Sequence, residues 1–124
     1  MLKRDYVAQS LNELVHTIFK MEYDIDTEMP TAEVLDEEDE KVVLKHLFDM
    51  VDGGYINEAE NQFYALQETE QGVSLKLALL FYLHLNEKDD GFLEDHDFSR
   101  EEVKLGIQNV SATFGLEGLT DVFL

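Results

Sequence analysis

The sequence predicts an all-α protein, a single domain of five to six helices, on three observations. Apolar residues recur at spacings of three and four along several separate stretches, as they do on a helix with one buried face. Those stretches are separated by breakers at Pro30, Asp52-Gly53-Gly54, Gly72 and Gly115, and no stretch alternates at the two-residue period of a strand. The chain has 124 residues, 44% of them hydrophobic, which is the size and composition of one ordinary domain with a real core.

Residues 2–23 read as the first helix. Val7, Leu11, Leu14 and Ile18 follow one another at 4, 3 and 4, and Val15 and Phe19 widen the stripe. Asp24 to Pro30 breaks the pattern, and 24–35 reads as a flexible linker to a helical core over 36–124. Asp36 is the expected N-cap of the second helix, because Glu37, Glu38, Asp39 and Glu40 then lie at the positive end of its dipole. That helix carries Val43, Leu47, Met50 and Val51 and stops at Gly53-Gly54. A third helix, about 56 to 69, has Ile56, Ala59, Phe63 and Leu66 on one face.

From Ser74 to Asn86 the chain is apolar almost all round, the pattern of a helix covered on several sides and therefore central. Residues 87–98 read as an acidic connection. Ser99-Arg100-Glu101-Glu102 is a capping box, and the helix it opens carries Val103, Ile107, Val110 and Phe114. Gly115 stands where a left-handed C-terminal cap is needed, with Leu116 to cover the end. Leu119 to Leu124 is a short apolar tail, expected to dock on the core or on a partner.

Charge restricts the partners. Asp and Glu number 28 against 9 Lys and Arg, a formal net charge of −19. Binding nucleic acid needs clustered cations that displace counterions, and an anionic membrane surface makes a similar demand. Neither is an expected partner; a basic protein is, since the acidic stretches 33–40 and 87–102 would steer it in. There are no cysteines, so disulfides, thiolate metal sites and cysteine nucleophiles are excluded. No signal peptide is readable at the N-terminus, and the densest apolar run, Leu77 to Leu83, is far short of the roughly 20 residues that cross a bilayer. A cytoplasmic location is expected.

The stretch Gly54-Tyr55-Ile56-Asn57-Glu58-Ala59-Glu60-Asn61-Gln62-Phe63-Tyr64-Ala65-Leu66 has the spacing of a helical hairpin: small Ala59 permits close approach, and Phe63 and Leu66 fill the groove. It resembles the junction of the two helices in a tetratricopeptide unit over residues 42–68. There is no second copy, because a period of about 34 residues puts Lys88 at the glycine position and Leu93 at the alanine position. Asp49 to Glu60 also looks like a calcium loop, with Asp first, Gly sixth and Glu twelfth, but Val51 and Gly53 occupy two ligand positions. In Asn86 to Asp97, Gly91 is sixth and Lys88 sits at the third position. Glu13-x-x-His16 has the spacing of a carboxylate-bridged di-iron site, which needs a second such pair that the chain lacks. His16 falls opposite the Leu11, Leu14 and Ile18 stripe, and His84 reads as a boundary residue; His46 and His96 complete no ligand set. No nucleophile elbow, phosphate loop or dinucleotide fingerprint is present, so neither an enzyme nor a cofactor is expected.

Over most of its length the chain resembles a family of small acidic helical proteins of Gram-positive bacteria, uncharacterised in function. The resemblance is carried by Met1-Leu-Lys-Arg-Asp-Tyr6, Gly54-x-Ile56-Asn-Glu-Ala-Glu-Asn61, Phe81-Tyr-Leu-His-Leu-Asn-Glu-Lys-Asp-Asp90 and Ser99-Arg-Glu-Glu102. It implies a cytoplasmic bacterial setting and a helical, repeat-like fold, and no catalytic residue. The leading expectation is a non-enzymatic interaction or adaptor protein. Its contact surface would lie on the first helix (Leu14, Ile18), where packing in cis competes with exchange into a homodimer, or on the hairpin side near Tyr55, Tyr64 and Tyr82, aromatics being favoured at interfaces. The alternatives are cation or small-ligand binding by the acidic loops and, as a minor one, nucleic-acid mimicry by rows of carboxylates.

Overall fold

The computed structural model describes residues 2–124, with side chains from Tyr6 onward. Met1 and the side chains of Leu2–Asp5, within the N-terminal segment quoted above, lie outside the described residues. Seven α-helices follow in order: α1 (Leu2–Tyr23), α2 (Glu38–Asp52), α3 (Ile56–Gln67), α4 (Leu75–Glu87), α5 (Asp90–Asp95), α6 (Arg100–Thr113) and α7 (Glu117–Phe123). A 3-10 turn spans Ala32–Val34, and no strand occurs among the described residues.

The sequence dictates the centre. Eleven of the thirteen α4 residues are buried, so this helix has no solvent face. It packs on α1, α2, α6 and the 3-10 turn, and α3 reaches it through Phe63, stacked on Phe81 at 5.1 Å. Each fully buried Leu or Phe here contributes roughly 1.5–3 kcal/mol relative to exposure. Ser74 caps the helix by accepting from the Leu77 amide, and it also donates its hydroxyl to Glu40 Oε1 at 2.6 Å. One serine thus terminates α4 and fastens it to the first turn of α2.

The α4 C-terminus is closed by Arg100 from α6. The guanidinium donates to the Asn86 carbonyl at 2.7 Å, to Asn86 Oδ1 at 3.0 Å and to the Lys88 carbonyl at 2.6 Å, and pairs with Asp90 at 3.2 Å. Asn86 in turn donates to the Ala8 carbonyl and to Asn12 of α1. Three helices and the start of α5 therefore meet on one cation, whose planar fork matches the oxygens offered.

Between α4 and α6 the approach is set by Gly106. A Cβ there would overlap the Tyr82 ring at Cε1 and Cζ, so only glycine allows this crossing. The ring edge meets Phe63 at 5.6 Å and Phe81 at 5.1 Å, both edge-on, the orientation preferred by aromatic quadrupoles.

Four expectations are corrected. Residues 87–98 are not a bare connection: Asp89 caps the Phe92 amide and α5 buries Leu93, a helix too short for periodicity to reveal. The stretch 24–35 is an ordered strap, with Pro30 and Leu35 buried and Lys76 of α4 bonded to the Val34 carbonyl. Asp36 does not cap α2; Glu37 stands at that position, and the Asp36 carboxylate pairs with Lys76 at 3.1 Å. The C-terminal tail is helical from Glu117, which gives seven α-helices among the described residues rather than the five or six expected. No helix among the described residues is long and apolar enough to cross a membrane.

Candidate functional site

The tight turn from α2 into α3 places the one predicted contact residue that is open to solvent. Gly54 adopts a φ of +95°, which L residues resist, and the space a side chain would fill is taken by the His96 imidazole. The turn delivers Tyr55 with 60% of its surface exposed. In the first turn of α3, Asn57 donates to the Asp97 carbonyl at 3.1 Å and reaches the His96 carbonyl at 3.4 Å. Asp97 itself is left-handed, at φ +58°, a conformation aspartate tolerates better than most residues.

His96 is held by its Nδ1, 2.7 Å from the Phe92 carbonyl. A carbonyl only accepts, so Nδ1 carries a proton and, in the neutral ring, Nε2 is the acceptor facing Gly54. Between these elements lies an open cleft of about 550 Å³, lined by Tyr55, Asn57, Glu58, Asn61, Asp95, His96 and Asp97, with Gly54 at its edge. Glu58, Asp95 and Asp97 are exposed and make no ion pair with any described residue. An aromatic face, three carboxylates and two amides suit a cationic group, which gains from the ring quadrupole as well as from charge.

The other predicted contact residues lie elsewhere. Leu14 and Ile18 are fully buried in the chain's own core, where α1 packs on α4, α6 and α7. Tyr82 is also fully buried. Its hydroxyl donates to Glu60 Oε2 at 2.7 Å and lies 3.3 Å from the hydroxyl of Tyr64, which is half-buried. Burial, then Tyr64 and Glu60, push the Tyr82 hydroxyl far above the usual range. Burial also lifts the Glu60 carboxyl above its ordinary value; the Tyr82 bond opposes this and Glu102 adds to it. These tyrosines tie α3 to α4 rather than face outward.

Neither calcium-like stretch has a loop geometry. Asp49 is helical and pairs with Lys45 at 3.1 Å, Val51 is buried, and Glu60 turns inward to Tyr82. In the second stretch, Asn86 is buried beneath Arg100 and Lys88 pairs with Asp52 at 2.6 Å. Among the described residues no group of three or more His, Asp or Glu is arranged to hold a metal ion. His16 is half-buried and bonds to Asp26 at 3.1 Å, edging a second cleft of about 350 Å³ with Glu13 and Met29. His84 stacks on Phe48 at 4.0 Å and meets Asp52 at 2.7 Å. Burial of Asp52 opposes its charge, but bonds from Lys88 and His84 outweigh this and hold its carboxyl below the usual range.

His96 and Asn57 were not singled out as contact residues by sequence. The only local signal was the glycine pair before Tyr55, because their partners lie about forty residues along the chain. Over residues 1–115 the chain matches, and belongs to, a family of unknown function, DUF6483. No curated protein and no solved structure matches it.

Proposed function

We propose that this protein is a non-enzymatic interaction module of the bacterial cytoplasm that binds a basic protein partner at the Tyr55 cleft. The single observation behind this reading is the cleft itself: an exposed phenol beside Glu58, Asp95 and Asp97, none of them paired with a described cation. A lysine or arginine side chain fits that chemistry, and the net charge of −19 would draw a basic partner from a distance. In this reading α2 and α3 act as a single tetratricopeptide-like hairpin that presents the cleft at its turn, and the family is one of Gram-positive bacteria. Support for the bacterial setting is the sequence resemblance alone.

The test is affinity capture from a Gram-positive lysate with the wild-type chain and with Tyr55→Ala and Asp95→Asn/Asp97→Asn. A partner held by wild type, weakened by both variants and released as salt is raised, is the expected result. An unchanged set of captured proteins would remove the cleft from the account. A second reading, binding of a small cationic ligand, is favoured by the size and carboxylate lining of the same cleft, with a divalent ion as its simplest probe. Calorimetric titration with calcium and magnesium separates the two, since no saturable heat at micromolar ion discards the ion.

A further inference from the structure

The helix α7 is held differently from the others. α1 is bonded through Asn86, α2 through Glu40 to Ser74, α3 through Glu60 to Tyr82, and α5 and α6 through Arg100 and Asp90. Among the described residues, no side chain of α7 makes a hydrogen bond or ion pair to α1 or α6, the two helices it lies against. Leu116, Leu119, Phe123 and Leu124 pack on the core only partly buried. Thr120, the one buried residue of α7, has a hydroxyl without a partner, and so has Ser111 of α6. A buried hydroxyl left unbonded weakens the seam in which it lies. The family match, moreover, ends at residue 115, before α7 begins.

What folds α7 back is a three-residue hinge, Phe114 to Leu116. Gly115 has a φ of +76°, and the Leu116 amide closes the turn on the Ser111 carbonyl at 2.7 Å. A Cβ at Gly115 would meet nothing within 4 Å. The return of the chain therefore depends on one left-handed backbone conformation and the backbone bond that closes it, with no side chain crowding Gly115.

We infer that α7 exchanges between two copies of this chain: Gly115 turns right-handed, α6 and α7 become one helix, and each α7 seats on the α1/α6 groove of the other copy. The occupant is a second copy because the α1/α6 groove already seats this same helix, and exchange keeps the contacts of α7 while the turn bond from the Leu116 amide to the Ser111 carbonyl gives way to continuous helical bonds. One helix from Arg100 to Phe123 would run about 36 Å, carrying α7 away from its own groove. Repulsion between two chains of net charge −19 opposes the encounter, so exchange grows with salt and concentration.

Sedimentation velocity over a range of concentration at moderate salt, with circular dichroism on the same samples, tests this on the full chain. Gly115→Ala penalises only the left-handed turn, and it is expected to lower the dimer dissociation constant by about tenfold or more. Gly115→Asn, which tolerates the left-handed region, should dimerise no more than wild type. Gly115→Ala/Phe123→Asp, which spoils the seat of α7, should return to monomer. A folded Gly115→Ala that stays monomeric, a Gly115→Ala that only unfolds, equal dimerisation by Gly115→Asn, or a dimer undisturbed by Phe123→Asp would each overturn the exchange.

Discussion

Two of the seams that α6 makes, with α4 and with α7, each depend on a glycine for a different physical reason. Gly106 faces α4, where the Tyr82 ring occupies the place of a side chain. Gly115 ends the helix with open space around it and a left-handed backbone. The first glycine is demanded by a neighbour, the second by a dihedral. The seams differ in the same sense. Toward α4 every polar group named is satisfied: Tyr82 by Glu60 and Tyr64, Asn86 by Arg100 and α1. On α7 the buried hydroxyl of Thr120 is left without a partner among the described residues. One seam fixes the fold; the other only covers it.

The largest expected effect comes from breaking the first seam. Gly106→Ala forces a methyl into a ring that its own hydrogen bonds keep in place, and destabilisation of about 3 kcal/mol or more in denaturant unfolding is expected. Adding Tyr82→Leu should restore part of that loss; no restoration would mean that the ring is not what excludes the methyl. Arg100→Ala leaves the Asn86 and Lys88 carbonyls without their charged donor and should cost about 2–3 kcal/mol. A thermal midpoint equal to that of wild type would rule out Arg100 as the clamp of α4.

A smaller effect sharpens the comparison through pH. Because the Glu60 carboxyl titrates above its ordinary value in the folded chain, the folded state takes up this proton before the unfolded state does as pH falls. The charged form therefore costs stability at neutral pH, and the cost is relieved as pH falls through the raised folded value toward about 4.3, the unfolded one. Glu60→Gln should be more stable than wild type at neutral pH, with the difference shrinking in acid; a difference flat in pH would contradict it. Asp52, held low, behaves oppositely: its contribution is present above the unfolded value near ~3.9 and is lost as pH falls through the lower folded one. The smallest stability effect belongs to Tyr55→Ala, within about 0.5 kcal/mol, because the ring is exposed. A large loss would place Tyr55 in the core rather than at a contact surface.

Local information carried much of this fold. The stripe of α1, the apolar girth of α4, the Ser99 capping box and the turn at Gly115 each follow from a few neighbouring residues, and each is found. What was not legible depends on pairs distant in sequence. Gly106 is uninformative until Tyr82, on another helix, is set against it. Arg100 reads as a capping-box passenger until Asn86 and Lys88 come within reach. Tyr55, Tyr64 and Tyr82 look alike by residue type, yet one is exposed, one half-buried and one sealed. Burial of a tyrosine is decided by the helices that pack over it, and its hydroxyl then needs a partner such as Glu60, which no local pattern names.

The helix without a solvent face has a consequence for how such a protein diversifies. Since α4 touches most of the other helices and almost no water, substitution there is judged by packing alone. Residues at the cleft and on α7 contribute little to that packing, so they are freer to change. Among relatives, the axle should be the slow-changing part and the rim the fast one.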